Sequence, residues 1–311
     1  MRFLPDVEQR AFVSSLDAML GSADTPTVVR DWSRGRHTRG RALWGRIAEA
    51  GVFGLAVPEE CDGLGLRPVE LALAFVELGR YAVPGPLVET VTAAVLLAEP
   101  KRLVSGEAMA TVSYGGPYAL DADVADIRLA LTPDGLFRSP GHGPVRPSID
   151  PARRLTALEA GELLTPAPPT GQALALARLT TAAQALGVGL TLLDKTVTHV
   201  KRRTQFGAPI GSFQAVKHRL ADAKIALEFA RPLVLGAALT LTPADMAAAK
   251  TAACEAAYAT ARTALQLHGA IGYTAECDLS LWLTKARALR TAWGSPEECR
   301  AVVLSGGGRR W

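Results

Sequence analysis

The chain has 311 residues, 49% of them apolar and 21% charged, and a net charge of +4. That composition belongs to a globular chain and excludes wholesale disorder, and the length can bury a large core in one to three units. The small, dispersed positive excess does not describe a nucleic-acid binder, and Arg309 and Arg310, beside C-terminal glycines, read as a frayed terminus.

The cysteines Cys61, Cys254, Cys277 and Cys299 form no C-x-x-C pair, and His37, His142, His218 and His268 show no metal-ligand spacing with them or with one another. The expectation is reduced thiols and no metal. The N-terminal "MRFLPDVEQR" lacks an apolar signal region, and no uncharged apolar run reaches the roughly 18 residues of a membrane span. A soluble, cytoplasmic protein is therefore expected.

In chain order, residues 1–105 read as an N-terminal helical domain. "RALWGRIAEAGVFGLAVPEE" carries an apolar stripe into a glycine-rich break; "DGLGLRPVELALAFVELGRYAVPGP" places Pro68 near a helix start, with Pro84 and Pro86 stopping it. Residues 106–168 read as a reduced β domain, with short runs in "AMATVSYGG", "ADIRLALTPDGLFRS" and "ARRLTALEAG" and a turn at "TPDG". "LLTPAPPTGQ", residues 163–172, reads as a Pro-rich linker.

Residues 169–311 read as a four-helix bundle. Leu179, Leu186, Leu190, Leu193, Val197 and Val200 draw one stripe along a first helix. Ser212 is the expected N-cap of a second, with Phe213, Val216, Leu220, Ala223 and Leu227 facing inward and Pro232 as a kink. Thr242 and Pro243 open a third that runs to Gly269, and a fourth spans Asp278 to Arg290. The expected fold is α+β, mostly α: helical domain, small β domain, bundle.

Two segments carry more than fold. "KRRTQFGAPIGSFQAVKHRLAD", residues 201–222, joins the first two bundle helices and brings three cations to a helix end. A basic C-terminus meeting its own helix dipole explains Lys201 to Arg203; an anion site there would also employ Gln205 and Phe206, for which the dipole has no use. "QLHGAIGYTAE", residues 266–276, closes the third helix, and Gly269 and Gly272 suit either a C-cap with positive φ or close approach of backbone to a ligand.

Together these segments resemble the acyl-CoA dehydrogenase family, with its R-x-Q-F-G-x-P-I-x-x-F-Q and Q-x-x-G-G-x-G-Y/F-T motifs; "GLAVPEECDGLGL" is similar to the family's first-domain loop. The resemblance implies a flavin, FAD, shared between subunits. By motif, Arg203 would pair with its pyrophosphate, Phe206 would pack near adenine, and Gln205 and Gln214 would make polar contacts. Gln266, Gly269 and Ala270 would approach the cofactor held mainly by the other subunit, with Ala270 where many relatives have glycine. The implied reaction is α,β-dehydrogenation of an acyl-CoA thioester, in which a carboxylate removes the α-proton and the β-hydrogen leaves as hydride.

Neither of the family's usual base positions holds a carboxylate. One is Trp293 of "TAWGS"; the other is Ala177, just before Arg178. Arg178 stands where relatives place an arginine near the acyl pocket, although an inter-helix ion pair would use it equally well. The β domain is short, so contacts to the flavin ring are expected to be incomplete. "SIDPARRLTALEAG" and "AWGSPEECRAVV" resemble one branch: short chains of actinobacterial steroid side-chain degradation that pair with a second dehydrogenase chain in α2β2 heterotetramers. The implied role is the base-less subunit. Two alternatives stand beside it: a self-sufficient homo-oligomer with a displaced base at Glu276, Glu297 or Glu298, and a non-catalytic acyl-CoA or flavin scaffold. His199 replaces a tyrosine common in relatives and reads as a half-buried packing residue.

Overall fold

A computed structural model describes residues 4–274 and 276–306. Arg309 and Arg310, expected to fray, and Ala275 of the second motif lie outside the described residues.

The N-terminal part is helical: α1 (Val7–Gly21), α2 (Thr25–Ser33), α3 (Thr38–Glu49), α4 (Pro68–Arg80), α5 (Leu87–Leu96) and α6 (Lys101–Val104). Asp6 starts α1 with a reciprocal cap, its carboxylate accepting from Gln9 N at 2.8 Å while the Gln9 side chain accepts from Asp6 N at 3.0 Å. Pro68 sits in the first turn of α4, as expected. Between α3 and α4, "GLAVPEECDGLGL" folds back on itself through bonds such as Leu64 N to Gly54 O (2.9 Å) and Gly65 N to Val57 O (2.9 Å). The Val57 carbonyl lies 2.0 Å from where a Cβ on Gly63 would stand, so only glycine fits that return.

The middle region pairs β1 (Ala110–Tyr114) in parallel with β3 (Ile127–Thr132), and β3 in antiparallel with β4 (Gly135–Arg138), through the expected turn at 132–135. β6 (Glu162–Thr165) completes that sheet, while β2 (Tyr118–Leu120) pairs with β5 (Leu155–Ala157) in a second. β2 and β6 are corrections to the sequence reading. The supposed linker is half structure: β6 ends at Thr165 and the next helix starts at Thr170, leaving 166–169 between them. Val112, Leu129, Leu131 and Leu136 bury against Ala93, Leu96 and Leu103, which seats the sheet on α5 and α6. Thr90 of α5 fastens that contact, exchanging two 3.0 Å bonds with the backbone of Ala110.

The remainder is the bundle: α7 (Thr170–Arg202), α8 (Gln214–Thr240), α9 (Pro243–His268) and α10 (Leu279–Leu289), with β7 (Thr204–Gln205) and β8 (Ala208–Pro209) as a hairpin between α7 and α8. The stripe on α7 is buried at Leu179, Leu186, Leu190, Leu193 and Val200, and Val197 is half-buried. By length and composition α7 could cross a bilayer, but 89% of its most apolar window is buried inside the protein. Its Gly187 touches α4 backbone to backbone; a Cβ there would meet Val76 O at 1.9 Å. Thr242 caps α9, its hydroxyl accepting from Asp245 N at 3.1 Å, and Gly269 ends α9 with φ +62°.

Ser212 is not the N-cap of α8. A short 3-10 turn, Ile210–Ser212, intervenes; Ser212 Oγ donates to Pro209 O at 2.7 Å, and extended Phe213 precedes the helix. The expected inner face of α8 is also only half inside. Ala223 and Leu227 are buried, Val216 and Leu220 are half-buried, and Phe213 is exposed. The helix continues through Pro232. A further helix that the sequence reading did not foresee, α11 (Pro296–Ser305), packs on α9 and buries Cys299. Ser295 and Glu298 cap it reciprocally.

Candidate functional site

The two sequence segments meet at one end of the bundle. The rings of His199 on α7 and His268 on α9 stack with centroids 4.0 Å apart, and Arg219 of α8 donates to the Gln266 side chain of α9. The His199 reading as a half-buried packing residue therefore holds, with His268 as its partner. Burial pushes both imidazoles below their ordinary value, His199 further lowered by its neighbours His268 and Arg203, so the pair is neutral at pH 7.

Around that stack the motif residues face solvent. Arg203, Gln205, Phe206, Gln214, Gln266, Gly269 and Ala270 are all exposed. Phe206 is 92% exposed at the hairpin tip, in a left-handed conformation (φ +54°), with its ring edge-on to Phe213 at 6.2 Å. Such a residue gains nothing from the chain's own core. Arg203 forms no ion pair among the described residues, whereas its backbone is fixed by Ile210 N donating to Arg203 O at 2.8 Å. A rigid backbone carrying an unengaged guanidinium, beside the N-terminus of α8, fits a phosphate-bearing nucleotide such as FAD. Gly272 is used differently from the sequence reading: its φ is not positive, and a Cβ there would press on His268 and Leu265 at 3.1–3.2 Å. Close packing, not backbone handedness, is what glycine relieves there.

The second region is a cleft of about 450 Å³ where α5, the β-rich region, α7 and the loop between α10 and α11 converge. Glu89, Arg153, Arg178, Trp293, Glu298 and Tyr114 are among its lining residues. Arg178 is half-buried, its Nε lies out of solvent with no hydrogen-bond partner, and among the described residues it forms no ion pair, so the side chain is left to the cleft. Ala177 is fully buried in the core beside it and does not line the cleft.

Trp293 does line it, in a left-handed conformation (φ +56°) followed by Gly294 at φ +121°. Two groups hold that strained loop. The fully buried Lys250 donates to Gly294 O at 2.6 Å and to Arg290 O at 3.3 Å. The Trp293 indole Nε1 donates to Glu89 Oε1 at 3.1 Å. Glu89 is 4% exposed, and burial pushes its carboxyl up despite the opposing charge of Arg153, which favours the neutral acid. Beneath lies a buried ion pair, Asp150 to Lys285 at 3.5 Å.

Of the three displaced-base candidates, Glu276 and Glu297 are exposed and do not line the cleft. Glu298 lines the rim, but its Oε2 is engaged by Ser295 N at 2.6 Å in the α11 cap. Glu89, Lys250 and the Asp150–Lys285 pair escaped the sequence reading. The signal for Glu89 was present: it is one carboxylate in the otherwise uncharged "PLVETVTAAVLL".

Comparison with known proteins identifies the family and the fold. Residues 170–306 match the acyl-CoA dehydrogenase C-terminal domain, and residues 6–100 match the N-terminal domain. Acyl-CoA dehydrogenase IpdE2 of Mycobacterium tuberculosis is 34% identical over 305 residues, covering 94% of this chain and 95% of that protein. The bovine mitochondrial short-chain specific enzyme is 38% identical over 137 residues, 42% of this chain and 33% of its own length. Among solved structures, the ChsE4–ChsE5 complex from Mycobacterium tuberculosis superposes with a TM-score of 0.84 at 23% identity, covering 99% of this chain and 100% of the matched one. The chain belongs to the acyl-CoA dehydrogenase family, FAD-dependent oxidoreductases that act on the CH–CH bond of acyl-CoA thioesters.

Proposed function

We propose that this chain is one subunit of a cytoplasmic, flavin-dependent acyl-CoA dehydrogenase that works with a second dehydrogenase chain in an α2β2 assembly. Its three parts, 1–105, 106–168 and 169–311, divide the labour. The bundle contributes a half-site: Arg203 to the pyrophosphate of FAD, Phe206 to the adenine end, Gln205 and Gln214 as polar contacts, and Gln266, Gly269 and Ala270 from the end of α9. The partner supplies the carboxylate that takes the α-proton. FAD held there would supply the acceptor for the β-hydrogen as hydride.

The observation that carries this reading is the contrast between an Arg203 that forms no ion pair among the described residues at the bundle end and the absence of a carboxylate at both usual base positions, Trp293 lining the cleft and Ala177 buried beside it. A dehydrogenase cannot make the α-carbanion without a proton acceptor. Two further features support a second chain. Ile225, Phe229 and Leu233, at successive four-residue steps of α8, are 53%, 73% and 47% exposed, an apolar stripe suited to a subunit contact. The structural likeness to the ChsE4–ChsE5 and Tcur3481–Tcur3483 complexes, the latter described as a steroid enzyme, points the same way. A steroid side chain or another bulky acid is accordingly the acyl group we assign, with Arg178 as a substrate-side residue.

The test is to purify the chain alone and together with a longer dehydrogenase chain that keeps its base. A colourless protein alone, and a yellow complex bleached by acyl-CoA, are expected. Stoichiometric flavin with acyl-CoA-dependent bleaching in the isolated chain would sink the proposal.

A further inference from the structure

We propose that the stacked imidazoles of His199 and His268 are a positioning pair for the flavin half-site, tying its α7 arm, which carries Arg203, to its α9 arm, which carries Gln266, Gly269 and Ala270. The inference rests on the half-site reading above and deepens it, since neither histidine is among the residues that reading assigns to the cofactor.

The two arms leave separate helix ends, and little else directs them. Arg203 is the first residue past α7, already extended at ψ 118°, and its side chain is exposed. Gly269 closes α9 at φ +62°, and a Cβ added there would meet nothing within 4 Å, so the start of the α9 arm has no packing of its own. A nucleotide gripped from both sides gains from the arms only if their separation is fixed before it arrives.

The pair supplies that constraint through an unbroken chain of contacts. The His199 carbonyl accepts from Arg203 N at 2.9 Å, and Arg203 O accepts from Ile210 N at 2.8 Å, so the backbone of the α7 arm hangs on His199. The His199 ring lies on the His268 ring, centroids 4.0 Å apart and planes 23° from parallel. His268 cannot easily turn away from that stack. Its Nδ1 donates to Ala264 O at 2.8 Å, and its Cβ lies 3.1 Å from where a Cβ on Gly272 would stand. His268 is the residue from which Gly269 and Ala270 depart. On the α8 side, Arg219 donates to the Gln266 side chain and steadies the same arm.

A flat, offset pair suits this task better than an ion pair would. The Nδ1 bond of His268 leaves its Nε2 as a lone pair, and both rings are neutral at pH 7, so the stack brings no charge of its own to a phosphate. Both histidines are half-buried, and neither belongs to the buried core, so the fold has small need of the contact.

The experiment titrates FAD into the flavin-depleted two-chain complex and compares the wild-type chain with His199→Leu, Arg203→Ala, the double variant of these two, and His199→Phe. Size-exclusion chromatography and thermal denaturation confirm that each form assembles and folds. His199→Leu is expected to raise the Kd for FAD by roughly 5- to 10-fold, the scale of one aromatic pair. In the Arg203→Ala background the same change should add less than about twofold, because the charge that the pair aligns is then gone. His199→Phe keeps a flat ring and should restore the wild-type Kd to within about twofold, which a mere loss of side-chain volume would not explain. Should His199→Leu fail to assemble, His268→Leu enters the same cycle from the other side of the stack. No loss in the substituted chain, an equal loss in both backgrounds, or a His199→Phe chain as weak as His199→Leu overturns the proposal. The two failures are distinguishable: an unchanged Kd in Arg203→Ala alone removes the half-site and the pair with it, whereas losses that simply multiply remove the pair and leave the half-site standing.

Discussion

The bundle end and the cleft have been treated in opposite ways by the same sequence. At the bundle end, Arg203, Gln205 and Phe206 keep the family pattern and make no use of it within the chain: they are exposed, and the Arg203 guanidinium has no ion pair among the described residues. In the cleft, the family pattern is lost at residue 293, and the replacement has been absorbed into the chain's own packing through Glu89, Lys250 and the Asp150–Lys285 pair. Side chains retained for a ligand are cheap to remove from the fold and costly to function. Side chains that have turned inward should behave in the reverse way.

The largest effect expected from that contrast is at Asp150. Asp150→Ala leaves the Lys285 ammonium buried and alone, at a cost of about 3–5 kcal/mol, or roughly ten degrees in Tm. Replacing both partners, Asp150→Leu with Lys285→Met, should recover most of the loss, because a buried pair exchanged for apolar groups is often neutral. Thermal denaturation of the two variants decides the matter. A Tm unchanged by Asp150→Ala would mean that the floor of the cleft is not part of the fold's stability.

Arg203→Ala sharpens the other side. Loss of a charge-assisted contact worth about 1.5–3 kcal/mol should weaken flavin binding in the complex by roughly 10- to 100-fold. The stability of the chain itself should stay within about 0.5 kcal/mol, as for other exposed, unpaired positions. Flavin titration and chemical denaturation of the same protein give both numbers. Unchanged flavin retention would remove the half-site, and a destabilised fold would make Arg203 a structural residue instead.

The same contrast explains what could be read from the sequence. Periodicity gave the first two bundle helices, most clearly α7, whose buried face repeats over many turns, and Thr242–Pro243 marked the start of the third by local chemistry alone. α11 was missed because it is short, and its capping pair Ser295 and Glu298 sits in a segment read only for its missing base. Ser212 misled for the converse reason: a good capping residue was taken up by a preceding turn that has no periodic signature. The proposed half-site could be named from the sequence because its motif residues lie close together in the chain. The clamped Trp293 loop was not, since Glu89, Trp293 and Lys250 come from three distant segments and meet only through tertiary packing.

The smallest effect bears on Glu298, the one displaced-base candidate that reaches the cleft. Its carboxylate is occupied by the α11 cap, in which Ser295 Oγ accepts from Glu298 N at 3.1 Å and Glu298 Oε2 accepts from Ser295 N at 2.6 Å. Ser295→Ala removes half of that box and should cost about 1 kcal/mol, confined to α11 and visible as faster amide hydrogen exchange over 296–305 with little change elsewhere. If Glu298 is a structural cap, Glu298→Gln, which keeps an acceptor oxygen, should leave both that exchange and the turnover of the complex unaltered. Loss of turnover in Glu298→Gln with exchange unchanged would instead place a working carboxylate in this chain, and the cleft would have to be regarded as a second reaction site.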